Sequence, residues 1–159
     1  MEALLELLQQ NARLTNSELA DRLGTTAEAV AARIAAFEVE KTILGYNAVI
    51  DPDKTESSDV SALIEVRLRP EREGGFDHIA ERIAKFGQVT NCYLMSGGYD
   101  LAIIVEGPDL REVASFVSEK LSTIDGVLST TTHFQLKVYK QAGFLAETEN
   151  ELTRLPVTP

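Results

Sequence analysis

Four consecutive residues, Gly97-Gly98-Tyr99-Asp100, combine the two features needed to hold a small zwitterion. Glycine N–H groups can approach a carboxylate closely because no Cβ intervenes, and an aspartate can meet an ammonium group. The same residues also make an ordinary hairpin turn, and by residue type alone the turn is the favoured reading. Thr130, Thr131 and Thr132 offer neighbouring hydroxyls, yet they are equally ordinary strand residues. His78 and His133 lack metal-ligand spacing, and no cluster of Cys, His and carboxylate accompanies either. No nucleophile–base pair, phosphate-binding glycine loop or acid pair stands out, so no catalytic residue, metal or cofactor is expected. The single cysteine, Cys92, has no partner for an internal disulfide and reads as a core thiol.

A second kind of chemistry is contact with nucleic acid, and here charge speaks against the chain. The net charge is −10 and no region is basic. Residues 1–50 hold Arg13, Arg22, Arg33 and Lys41 against seven acids, and Arg33 is the only base between Thr25 and Glu40. Nonspecific affinity for duplexes comes mainly from Lys and Arg displacing counterions from phosphates. A DNA-binding role therefore has to rest on local geometry.

The elements that would supply that geometry begin with a leucine stripe, Leu4, Leu5, Leu7 and Leu8, which predicts a helix over residues 2–10. Thr15-Asn16-Ser17-Glu18 is a capping box opening a second helix through Leu19, Ala20 and Leu23, stopped by Gly24. Thr25-Thr26-Ala27-Glu28 reads as a second box, opening a third helix with Val30, Ile34 and Phe37 on one face. Two helices this close must turn sharply, which is the helix-turn-helix pattern with the third helix in the recognition position. The candidate DNA contacts are Thr15, Asn16, Thr25, Thr26, Glu28, Ala29 and Arg33. Ile43 to Ile50 reads as a strand, and the acidic stretch 51–60 as a linker between a domain of residues 1–50 and one of residues 61–143.

In the second domain Ala62, Ile64, Val66 and Leu68 alternate as in a strand with one buried face. A helix follows with Phe76, Ile79, Ala80 and Ile83. Val89 to Ser96 and Tyr99 to Glu106 read as strands joined tightly at Gly97-Gly98. Pro108 suits the first position of a helix carrying Leu110, Val113, Val117, Leu121 and Ile124, and Val127 to Tyr139 reads as the last strand. The fold class is α+β, with a β-α-β-β-α-β, ferredoxin-like order. Such a sheet carries helices on one face only. Its mixed face, with Thr131, His133, Gln135 and Lys137, is a candidate contact with another subunit, a plain solvated face being the alternative. Residues 144–159 read as an acidic tail. Apolar runs too short to span a bilayer, and a start without a basic n-region, imply a cytoplasmic address and no membrane partner.

Taken in order, the stretches Leu14 to Gly24, Val30-Ala31-Ala32-Arg33-Ile34, Ile43 to Asp51, Gly97 to Leu101 and Thr130 to Phe134 resemble the Lrp/AsnC family of transcriptional regulators. The resemblance covers roughly residues 2–143. It implies a winged helix-turn-helix on double-stranded DNA, joined to a ferredoxin-like (RAM-type) domain that dimerises and assembles to octamers. It also implies an amino acid or related effector near the β2–β3 turn, and so favours effector contact at Gly97, Gly98, Tyr99, Asp100, Thr130 and Thr132. Two departures stand out. Ala35 and Ala36 replace basic residues usual in the family, and Lys41 replaces the glycine that usually ends the recognition helix. If the left-handed geometry persists there, a Cβ costs on the order of 1 kcal/mol, and a shifted helix end is the alternative. Two other functions are compatible with this architecture: a ligand-sensing oligomer that has lost DNA affinity, and an enzyme resembling the sirohaem decarboxylases, with histidines near the same cleft.

Overall fold

A computed structural model describes residues 2–56, 59–70 and 75–146. Contacts divide the chain into two compact units, Met1–Val49 and Ile50–Pro159.

The first unit is three helices, α1 (Ala3–Gln10), α2 (Asn16–Leu23) and α3 (Ala27–Val39). Leu4, Leu8, Leu19, Ala20, Val30 and Phe37 form its small core, with Leu5, Leu7, Ile34 and Ile43 packed against it. At about 1.5–3 kcal/mol for each large side chain buried, six positions hold the three helices together with little to spare. The box at Thr15 is present in both directions: the Glu18 N–H donates to Thr15 Oγ1 at 3.2 Å and the Thr15 N–H to the Glu18 carboxylate at 2.8 Å. The second box is not formed. The cap of α3 is Thr26, whose hydroxyl accepts from the Ala29 N–H at 3.3 Å, because the Thr25 N–H is already committed to the Ala20 carbonyl at the end of α2. Glu28 therefore sits one position too early to reciprocate.

Ile43 to Ile50 is not a strand; no described residue pairs with it, and Leu44, Tyr46, Val49 and Ile50 are exposed. Extended backbone becomes a strand only with a ladder partner. Lys41 has a φ of 59°, so the left-handed helix end persists despite its Cβ.

In the second unit β1 (Val60–Leu68), β2 (Val89–Leu94), β3 (Leu101–Gly107) and β4 (Val127–Phe134) form one antiparallel sheet of order β2-β3-β1-β4. Helix α4 (Asp77–Ala84) and α5 (Leu110–Ser115) cross between strands, which is the ferredoxin-like topology. Ala62, Ile64, Val66 and Leu68 of β1 are buried with Leu101, Ile103 and Val105 of β3 against Ile79, Ile83, Val113 and Phe116. Gly126 has a φ of +93°, a conformation that favours glycine, and a Cβ there would push the end of the Ile79 side chain aside.

Several local expectations are revised. Asp109, not Pro108, starts α5: its carboxylate accepts from the Glu112 N–H at 2.8 Å, a cap that leaves Pro108 outside the helix. Past Ser115 the helix widens into π turns over Phe116–Leu121, with the Ser122 N–H donating to the Val117 carbonyl. That widening lets Phe116 and Leu121, five residues apart, both enter the core, leaving Val117 half-buried and Leu110 exposed. β4 stops at Phe134, not Tyr139. Its register shifts opposite Arg67 and Leu68, and Leu128 falls in that bulge and is exposed. The chain then forms a short hairpin, β5 (Lys140–Gln141) and β6 (Phe144–Leu145), so the first residues assigned to the tail are in a strand. The rest of that tail, 147–159, lies outside the described residues.

Because Lys41 carries a Cβ in a left-handed conformation, Lys41→Gly is expected to raise stability by roughly 0.5–1 kcal/mol, less whatever the freer glycine costs in the unfolded chain. Urea denaturation of the full chain, followed by helical signal, measures it. No change would mean that the strain at Lys41 is no larger than the cost of glycine's freedom in the unfolded chain.

Candidate functional site

The predicted DNA contacts all fall in the helical unit, and all are exposed: Thr15, Asn16, Thr25, Thr26, Glu28, Ala29 and Arg33. Thr15 and Thr26 are the caps of α2 and α3, so their hydroxyls are held by backbone N–H groups at the two helix starts. Hydrogen bonds from the Thr15 backbone and hydroxyl hold the Glu18 carboxyl below its usual range. Ala31, Ala32 and Ala35 on α3 are exposed as well.

Arg33 is engaged within the chain. Its Nε and Nη2 donate to the two carboxylate oxygens of Glu2 at 3.0 and 2.8 Å, a two-pronged pair across 31 residues. The guanidinium also lies 4.2 Å from the Phe37 ring centroid. Sequence reading missed Glu2 as its partner, since nothing local connects the start of α1 to the middle of α3.

In the sheet unit Gly97 and Gly98 lie in a loop that is not the tight two-residue turn expected. The Met95 N–H donates to the Asp100 carbonyl at 2.8 Å, so the ladder closes there and Ser96 to Tyr99 form a four-residue loop. Nothing lies within 4 Å of a Cβ built at Gly97 or Gly98, and Gly97 has a φ of +155°. Asp100 is the latch of this loop. Its N–H donates to the Val66 carbonyl at 2.9 Å, and its Oδ2 accepts from the Leu68 N–H at 2.7 Å. One carboxylate oxygen thus ties the loop to the end of β1.

The register Leu101↔Val66↔Thr130 brings Thr130 to the same level of the sheet, on the other side of β1. Thr130 and Thr132 are partly buried, and Thr130 Oγ1 lies 3.5 Å from Ser122 Oγ. Thr131 and His133 share the opposite face with Glu65; His133 Nε2 is 3.3 Å from the Glu65 carboxylate. Burial pushes the Cys92 thiol up, away from the reactive thiolate. Among the described residues no group of three or more His, Cys, Asp or Glu is placed to hold a metal, and no helix is long and apolar enough to cross a membrane.

The Asp100 latch makes a prediction about the fold. Asp100→Ala strands the part-buried Leu68 N–H and should cost about 1–3 kcal/mol, whereas Asp100→Asn keeps an oxygen acceptor and should cost less. Equal losses in thermal unfolding would show that charge, not the acceptor, matters there.

Comparison with known proteins agrees with both units. The AsnC-type helix-turn-helix domain matches residues 2–38, and the Lrp/AsnC ligand binding domain matches residues 61–144. The chain is 44% identical to the HTH-type transcriptional regulator YugG of Bacillus subtilis, over 98% of this chain and 95% of that one. It is 31% identical to a proline dehydrogenase transcriptional activator of Rhodobacter capsulatus, over 84% and 86%. Among solved structures it superposes with a TM-score of 0.67 on a transcriptional regulator of Neisseria meningitidis in complex with L-methionine, at 26% identity and over 87% of this chain and 88% of that one. The capped helix pair ahead of a four-stranded antiparallel sheet, matched by family on both units, places this chain in the Lrp/AsnC family of DNA-binding transcriptional regulators.

Proposed function

We propose that this regulator binds an amino acid or similar zwitterion beside Gly97, Gly98, Tyr99 and Asp100, with Thr130 and Thr132 nearby, and that the ligand changes its assembly and its hold on DNA. The observation that carries the reading is the loop itself. Two glycines leave the backbone open, and an aspartate anchored through one oxygen stands at its end, inside a domain matched as ligand-binding. A relative of this fold is known with L-methionine, which supports the ligand class.

The assembling unit is a homodimer, built on the sheet face that lacks helices and going on to an octamer. Leu63, Ile104, Tyr93 and His133 share that face. The DNA surface is the pair of helix starts, Thr15, Asn16, Thr25, Thr26, Glu28 and Ala29, with Arg33 reaching a phosphate. With so few bases, several heads must act together, and binding is steeply salt-dependent. The address is the cytoplasm. The reading is regulatory, not enzymatic.

Calorimetry against a panel of amino acids, with light scattering and sedimentation of the same samples, tests the sensor. Asp100→Asn is expected to weaken binding by roughly 1.5–3 kcal/mol through loss of the ammonium partner. A bulky residue at Gly98 is expected to block the ligand and leave the dimer intact. Heats unchanged by both substitutions place the effector elsewhere, and a monomer at micromolar concentration removes the assembly.

For DNA, replacing Ala35 and Ala36 by Lys and Arg should raise affinity broadly across sequences, because phosphate contacts position without specifying. Affinity unchanged at low salt would mean that this side of α3 does not face the duplex.

A further inference from the structure

We propose that Glu2 is an intramolecular stand-in for a DNA phosphate: it occupies the guanidinium of Arg33 in the free protein and must be displaced for Arg33 to reach the duplex. This rests on the reading of α3 as the DNA-facing helix and adds a control to it.

Arg33 is the only base between Thr25 and Glu40, so whatever holds it governs the phosphate grip of the helix. Its partner is a carboxylate presenting two oxygens to two N–H donors, the geometry with which arginine also takes a phosphate. Each partner shifts the other's titration, lowering Glu2 and raising Arg33.

Displacement is feasible because the pair is solvated. Both side chains are close to half exposed, at 46% and 42%, and exposed ion pairs contribute little. The pair is also not a brace of the core. It borders a hollow of about 230 Å³ lined by Leu4, Leu23, Ala29 and Val30, while Leu4, Leu8, Val30 and Phe37 pack together without it. The guanidinium lies 4.2 Å from the Phe37 ring centroid, a contact it can keep when Glu2 leaves.

An acidic protein with such a latch presents no free base on its recognition helix until a polyanion competes Glu2 away. Its affinity for random duplex is thereby lowered beyond what net charge alone would do.

The test uses the full chain and a mixed-sequence duplex at low salt. Glu2→Gln is expected to bind roughly two- to fivefold more tightly, the range an exposed pair can supply. Arg33→Gln added to Glu2→Gln should abolish that gain and reduce the salt slope by about one ion. The exchanged pair, Glu2→Arg with Arg33→Glu, restores the bridge with an acid on α3. It should keep the wild-type fold, less the guanidinium contact with Phe37 and the acid at the start of α1, yet bind DNA less well.

If the wild type binds duplex and Glu2→Gln binds no more tightly, or if the exchanged pair binds as well as the wild type, the contact is only a brace and the proposal is overturned. If wild type, Glu2→Gln and the Ala35→Lys, Ala36→Arg variant all fail to bind, the DNA-facing assignment of α3 falls, and this proposal with it.

Discussion

β1 is hydrogen-bonded along both edges, to β3 on one side and β4 on the other, while its residues Ala62, Ile64 and Val66 are wholly removed from water. Register in such a strand is strongly specified. A slip of one residue would send Leu63, Glu65 and Arg67 into the core and bring Ile64 and Val66 to the open face, a loss of several kcal/mol in burial alone. Once β1 is set, the rest of the candidate effector site follows. Val66 lies between Leu101 and Thr130, so Asp100 and Thr130, thirty residues apart in the chain, are held at one level of the sheet. The Asp100 carboxylate then completes the end of β1 by taking the Leu68 N–H, which turns a flexible glycine loop into one with a fixed foot.

The helical unit has no comparable framework: a small core holds its helices together, and caps set where they begin and end. The Thr25 N–H closes α2 onto the Ala20 carbonyl while the Thr26 hydroxyl opens α3, and the whole turn between the helices is made in those two residues with Gly24. Caps satisfy backbone groups that would otherwise be orphaned, each contributing on the order of 1 kcal/mol. This leaves the surface residues of α3 free of structural duty, which is where the chain has placed alanines. That surface presents alanines around one tethered arginine, the weak head for which the proposed cooperation of several subunits would have to make up.

Much of this was legible in residue order. The Thr15 box, the glycine stop at Gly24, the alternation of β1 and the β-α-β-β-α-β order are local signals, because capping, helical period and strand alternation act over two to four residues. At Lys41 the family's usual glycine left two possibilities, a left-handed end or a shifted one, and the structure keeps the left-handed end despite the side chain. Local chemistry misled where two local options competed. Thr25 and Thr26 can each cap a helix, and the Thr25 N–H taken by Ala20 leaves the role to Thr26; at α5 the Asp109 carboxylate makes the cap and Pro108 stays outside.

What residue order could not contain is pairing at a distance. Ile43 to Ile50 has the composition of a strand, but a strand is a relation between two segments, and the second is absent among the described residues. The five-residue spacing of Phe116 and Leu121 becomes meaningful only when the sheet beneath selects π turns to bury both. Asp100 looked like a free carboxylate for a ligand until the neighbouring strand end claimed one of its oxygens. Arg33 looked like a free base until α1 brought Glu2 to it from 31 residues away. The chain's own sequence determined which residues had the right chemistry, because chemistry belongs to residue type. Tertiary structure decided which of those groups are already in use, because hydrogen bonds and ion pairs form between whatever groups packing brings within about 3 Å.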